Sequence, residues 1–169
     1  MTELIIKPRI APRDAADALI TAGVGLLQVF LLIGLPGIAA YAFSGKPALA
    51  LLTMLIVNSG FVLLSVNKLA LSADGIRFVR VLGGPKFLPW SQIGAVELVS
   101  RKDLIVHGWL WPLIPPRELT TSLTSVGHCR IVFGNKAVYF PPEDAAAFLA
   151  AVSERMAVHT SASANKEAD

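Results

Sequence analysis

The sequence predicts an α+β protein: an N-terminal two-helix transmembrane hairpin followed by a seven-stranded β-barrel or sandwich, capped by a C-terminal α-helix. Three observations carry this prediction. Two uncharged apolar runs stand near the N-terminus, at 18–45 and 47–67. From Lys68 onward the chain breaks into short apolar segments cut by turn residues, the pattern of small antiparallel sheets. Near the C-terminus, "PPEDAAAFLAAVSERMA" repeats apolar residues at helical spacing. With 169 residues, the chain suits one compact domain plus an accessory element. Its 54% hydrophobic and 16% charged residues depart from the roughly 25% charge of ordinary globular chains, which places part of it in lipid.

The elements follow in order. Residues 1–17 form a short N-terminal segment carrying Lys7, Arg9 and Arg13. Between Asp17 and Lys46 the only ionisable side chain is Tyr41. A helix needs about 20 residues to cross a 30 Å hydrocarbon core, so both runs are long enough, with spans at about 19–43 and 47–67. "SGK" at 44–46 is turn chemistry, and Pro47 suits the first position of a helix, where its missing N–H has no partner to lose. Pro36 and Gly37 are expected to kink the first helix, and Gln28 and Asn58 to face the partner helix. "AYA" at 40–42 resembles a signal-peptidase site, but the apolar stretch before it is too long for a signal core and a second span follows at once.

Lys and Arg gather on the two outer flanks (Lys7, Arg9 and Arg13; Lys68, Arg77, Arg80 and Lys86), while the turn holds only Lys46. By the positive-inside rule both termini are cytoplasmic, in a multi-pass protein of a cell inner membrane. No voltage-sensing or proton-relay residue lies within the spans, which argues for an anchor rather than a pathway.

In the segment that follows, strands are expected at 68–73, 76–82, 86–89, 93–100, 104–109, 128–134 and 136–140. Asp74-Gly75 and Gly134-Asn135 serve as turns. The inner face takes Ile76, Phe78, Ile93, Val96, Cys129, Ile131 and Phe133. In "PWSQI" Pro89 ends strand pairing, Trp90 anchors a corner with an indole N–H that needs an acceptor, and Ile93 returns to the core. Glu143 and Asp144 place negative charge at the start of the last helix, whose apolar face is Ala145, Phe148, Leu149, Val152 and Met156. The polar tail 158–169 is expected to be disordered.

Seven strands and a closing helix resemble the pleckstrin-homology (PH) fold. The stretches "LSADGIRFVR", "KFLPWSQIGAVEL" and "AVYFPPEDAAAFLAAV" look like the bacterial PH-like domains attached to membrane hairpins. The resemblance covers about residues 65–157 and makes 68–157 a PH-like domain. It implies a scaffold or interaction module at the cytoplasmic face of a bacterial inner membrane, binding a protein partner in a membrane complex. Phosphoinositide-binding PH domains group basic residues around their first two strands. Here Arg77 and Arg80 differ by three and face opposite sides of a strand, so that pocket pattern is not met.

No residue pattern points to catalysis. Cys129 is the single cysteine, which excludes an intramolecular disulfide and a thiolate zinc cluster. His107, His128 and His159 lack metal-site spacing, and neighbours such as His128 and Cys129 point to opposite faces of a strand. No cofactor loop is present, and the expected protein is not an enzyme. The basic excess of 68–136, nine Lys or Arg against four Asp or Glu, suits a negative leaflet, with no nucleic-acid partner expected. The most unusual stretch is "HGWLWPLIPPRELTTSLTSVG" at 107–127. Its Trp109, Trp111 and Arg117 suit membrane contact, packing on the molecule's own barrel, or a partner surface. Together with Lys68, Arg77, Arg80 and Lys86 they are the candidate surface residues. An anionic-lipid-surface module, using this loop and a basic face, is the alternative to the protein-binding scaffold.

Overall fold

The computed structural model describes residues 3–109 and 124–167. A short strand β1 (Leu4–Ile6) precedes a long helical rod: α1 (Ala15–Val29), a π-helical turn (Phe30–Gly34) and α2 (Leu35–Ser44). The π turn lies just before Pro36, and a π turn is one way a helix accommodates a residue that cannot donate. Gly45, at φ 64°, takes the left-handed conformation that closes the rod, its N–H donating to Tyr41 O at 2.7 Å. Pro47 then opens α3 (Pro47–Leu64). Both helical segments, Ala15–Ser44 and Pro47–Leu64, are long and apolar enough to cross a membrane. Their large side chains point outward, Phe43 being 94% and Leu51 67% exposed. Asn58 is also exposed rather than turned toward the other helix.

Two antiparallel sheets follow, without a closed barrel. The first has the order β1-β2-β3-β4, with β2 at Val66–Leu71, β3 at Gly75–Arg80 and β4 at Lys86–Pro89. The second has the order β5-β6-β7, with β5 at Ile93–Leu98, β6 at Cys129–Phe133 and β7 at Lys136–Phe140. Their apolar faces share one core, in which Leu69, Leu71, Ile76 and Phe78 meet Ile131, Phe133, Val138 and Phe140. The rings of Phe78 and Phe133 are 5.8 Å apart. The C-terminal helix α5 (Ala145–Glu167) is capped by Asp144, which accepts from Ala147 N at 3.0 Å, and adds Phe148 and Val152 to this core.

The expected inner face is thus observed, but three elements differ. Residues 104–109 are not a strand. Ser100 caps a single helical turn, α4 (Arg101–Asp103), by accepting from Asp103 N at 3.1 Å, and the chain continues as a π-helical segment, Leu104–Trp109. The strand that makes up the count is β1, from before the helical pair: Leu4, Ile5 and Ile6 pair with Leu71, Ala70 and Leu69. Beyond it, Arg9 N donates to Pro141 O at 2.7 Å and Glu143 N to Lys7 O at 3.1 Å, so the N-terminal segment clasps the end of β7. Finally, residues 158–167, expected to be disordered, continue α5 as helix.

Trp90 makes the expected corner. Buried at 3% exposure, it donates from Nε1 to Ala73 O at 2.9 Å, and its N–H donates to Asp74 O at 3.1 Å. A Trp90→Phe variant keeps the ring but leaves the Ala73 carbonyl without that donor. It is expected to lose about 1 kcal/mol of unfolding free energy, read from the shift of a urea midpoint.

Candidate functional site

The most highly connected polar side chain described is Asp17, in the first turn of α1. Asp14 caps this helix by accepting from Asp17 N at 2.7 Å. Asp17 in turn reaches back to accept from Arg13 N at 2.8 Å, a variation on the reciprocal capping box. One turn further on, Thr21 Oγ1 donates to Asp17 Oδ1 at 3.3 Å. The remaining donors come from far along the chain: Thr124 Oγ1 to Oδ2 at 2.7 Å, and Ser125 N and Oγ to Oδ1, each at 2.5 Å. The carboxylate is fully buried, and every contact is a donation to it, the pattern an ionised acid accepts.

His128, 1% exposed, lies just beyond Ser125, and Gly127 (φ 72°) turns the chain between them toward β6. Asp, Ser and His therefore gather in one place, but not as a catalytic relay. Ser125 donates directly to the carboxylate rather than to an imidazole, and its side chain is fully buried, whereas a nucleophile must reach its substrate. The arrangement works as a clamp that fastens α1 to the chain entering β6. Burial pushes His128 down to about 4, against the opposing pull of the Val126 backbone and the charge of Asp17. The unfolded chain takes up this proton near 6.5, whereas the folded one does so only near 4. Stability from this group is therefore complete above pH 6.5 and falls as the pH drops through the 6.5-to-4 window, by about 3 kcal/mol in all. A His128→Asn variant is expected to flatten this part of the stability–pH curve, measured by urea unfolding at successive pH values.

A second contact extends the clamp down the helix. Val24 of α1 packs with Leu104, Ile105, Val99 and Ala137 around the buried ring of Tyr139, on the outer face of the second sheet. Beside it lies a shallow open depression of about 380 Å³ lined by Asp103, His107, Arg130, Lys136 and Tyr139, among others. Its charges are largely engaged with one another. Arg130 Nε donates to Glu97 Oε1 at 2.8 Å, Arg130 Nη1 is 4.0 Å from Asp103 Oδ2, and His107 Nε2 is 3.7 Å from Asp103 Oδ1.

Among the described residues, the basic surface candidates do not form one cluster. Strand pairing puts Lys68 and Arg77 on the outer face of the first sheet, where Arg77 lies 3.3 Å from Glu3. Arg80 and Lys86 belong to the alternate positions, and Lys86 Nζ stands 4.9 Å from the centre of the Phe133 ring. Trp109 ends the π-helical segment, whereas Trp111 and Arg117 lie outside the described residues. Cys129 is buried, and burial pushes its thiol up to about 12, so it is a poor nucleophile. Among the described residues, no three His, Cys, Asp or Glu side chains are placed to hold a metal ion. Sequence reading missed the Asp17 clamp. Its only local signal was "DAAD" at the head of the first apolar run, which marks a helix start but not a partner more than a hundred residues away. No family model, curated protein or solved structure matches the chain.

Proposed function

We propose that the chain is a membrane-anchored PH-like interaction module at the cytoplasmic face of a bacterial inner membrane, whose folded head docks a protein partner belonging to a membrane complex. The observation that carries this reading is the clamp at Asp17 and Val24, which fixes the head to one of two outward-facing apolar helices. At 1.5 Å per residue the 30-residue rod Ala15–Ser44 is about 45 Å long, some 15 Å more than the hydrocarbon layer. The head takes up that surplus, because the helix is fastened to it at Asp17 and Val24. Gly25–Ser44 and Pro47–Leu64 are left as spans of about 30 and 27 Å. The pairing of β1 with β2 supports an even number of crossings, since the chain leaves the first sheet before the helices and returns to it after them. What supports a PH-like reading is a four-stranded and a three-stranded antiparallel sheet followed by a closing helix, although β1 of the first sheet comes from before the helical pair.

Two experiments test the proposal. A carbonate wash is expected to leave the protein in the membrane pellet, and a membrane-impermeant amine reagent applied from the periplasm is expected not to reach Lys136; release, or labelling, refutes the anchored cytoplasmic reading. Affinity capture from detergent extract, with Trp109 and Arg117 changed to Ala, is expected to lose a partner recovered by the wild type. Recovery of the same proteins removes that surface from the reading.

A further inference from the structure

The turn between β3 and β4 carries "VLGGP", residues 81–85, whose apolar side chains are turned out to solvent: Val81 is 62% and Leu82 56% exposed. Its position gives this exposure a meaning. Leu82 N donates to Leu63 O at 2.9 Å, satisfying one of the last carbonyls of α3, and Gly83 lies beside the Leu64 side chain. The turn is therefore level with the end of the second apolar helix. That helix, about 27 Å long, is a few ångströms short of the hydrocarbon layer, so the lipid boundary extends to its last residues or beyond. The flanking chemistry matches a headgroup layer. Arg80 and Lys86 stand on either side of the turn, and the Phe133 ring under Lys86 brings the exposed Lys136, two residues beyond Gly134, to the same end of the head.

We propose that Val81 and Leu82 insert into the boundary between acyl chains and phosphate headgroups, making the β3–β4 turn a third membrane contact, beside the two spans. It holds the head at a set height and tilt. This inference rests on the membrane-anchored reading, and the occupant of the exposed patch is phospholipid rather than protein. The clamp and an inserted turn together give the head two points of attachment to the bilayer plane.

The test uses the full chain in vesicles of phosphatidylethanolamine and phosphatidylglycerol, with an environment-sensitive thiol label at Leu82→Cys, Leu55→Cys or Asp74→Cys. Native Cys129 can stay, because its buried thiol competes poorly for the reagent. Leu55 is 62% exposed in the middle of α3, and Asp74 lies at the opposite end of the six-residue β3, about 20 Å away along the strand. The expected result is that lipid spin-labelled near its headgroups quenches the Leu82 probe several-fold more than the Asp74 probe, while lipid labelled near the bilayer centre quenches Leu55 best. If Leu55 is quenched but Leu82 behaves like Asp74, the inserted turn is refuted and the anchor stands. If Leu55 itself is not quenched, the anchor and the inserted turn fall together. A Val81→Asp change in the Leu82→Cys chain is expected to abolish the headgroup quenching at 82 and leave that at Leu55 unchanged in its own single-label chain; persistence of quenching at 82 also refutes insertion.

Discussion

Replacing Asp17 with Ala is expected to cost the folded head about 4 kcal/mol and to release the first helix from it, because one substitution strips the acceptor from a buried set of donors. Thr124 Oγ1, Ser125 N and Ser125 Oγ lose their bonds to the carboxylate, and Arg13 N and Thr21 Oγ1 lose theirs at the start of the helix. Asp17→Asn keeps the volume but aims amide hydrogens at a site where donors converge, and is expected to recover less than half of the loss. Thr21→Val, which removes only the 3.3 Å bond, is expected to cost under about 1 kcal/mol. Urea unfolding in detergent micelles measures all three. Hydrogen exchange at Ser125 N–H identifies the mechanism: its protection falls in Asp17→Ala and stays near wild type in Thr21→Val.

Gly75→Val is expected to destabilise the head by about 3 kcal/mol or more, through steric collision rather than lost contacts. A Cβ at this position would stand 2.8 Å from Pro89 Cα and 2.9 Å from Leu88 C, and closer still to Leu88 O. All three atoms are backbone, so no side-chain rotation relieves the clash. β3 and β4 must part where Gly75 faces Pro89 and Ile76 faces Leu88, and the Trp90 corner next to them loosens with the ladder. Gly94→Ala is the control, since its nearest neighbour, Val132 O, is an ordinary 3.8 Å away. A thermal melt that separates the two variants by less than a few degrees contradicts this account.

Much of the sheet core was legible in the sequence because alternation states it directly. Ile76 and Phe78, or Ile131 and Phe133, are two apart and must share a face, and they do. The apolar helices were legible for the opposite reason, length without interruption. What failed was local ambiguity and distance along the chain. "LIVHGW" has the composition of a strand, yet Ser100 and Asp103 ahead of it form a helix start, and burial of Leu104 against Tyr139 is made from the helical form. β1 is only three residues long, too short for any periodicity to register. The tail after 157 is small and polar, but it inherits helix from the turns before it, where continuation is cheaper than nucleation. The Asp17 clamp is the clearest case. The residue looked like the charged border of an oily segment, and nothing local announces that a carboxylate will be swallowed by a loop made much later.

The placement of β1 sets an order on biosynthesis. Leu4, Ile5 and Ile6 leave the ribosome well before their partners: the residues they pair with lie beyond both apolar helices, and Pro141 and Glu143, which hold the backbone behind them, come later still. The nascent chain must therefore carry an unpaired sticky segment through insertion of the hairpin and complete its first sheet retroactively. Glu3 and Lys7 on either side keep that waiting segment short and charged at its ends, which discourages premature association with other emerging chains.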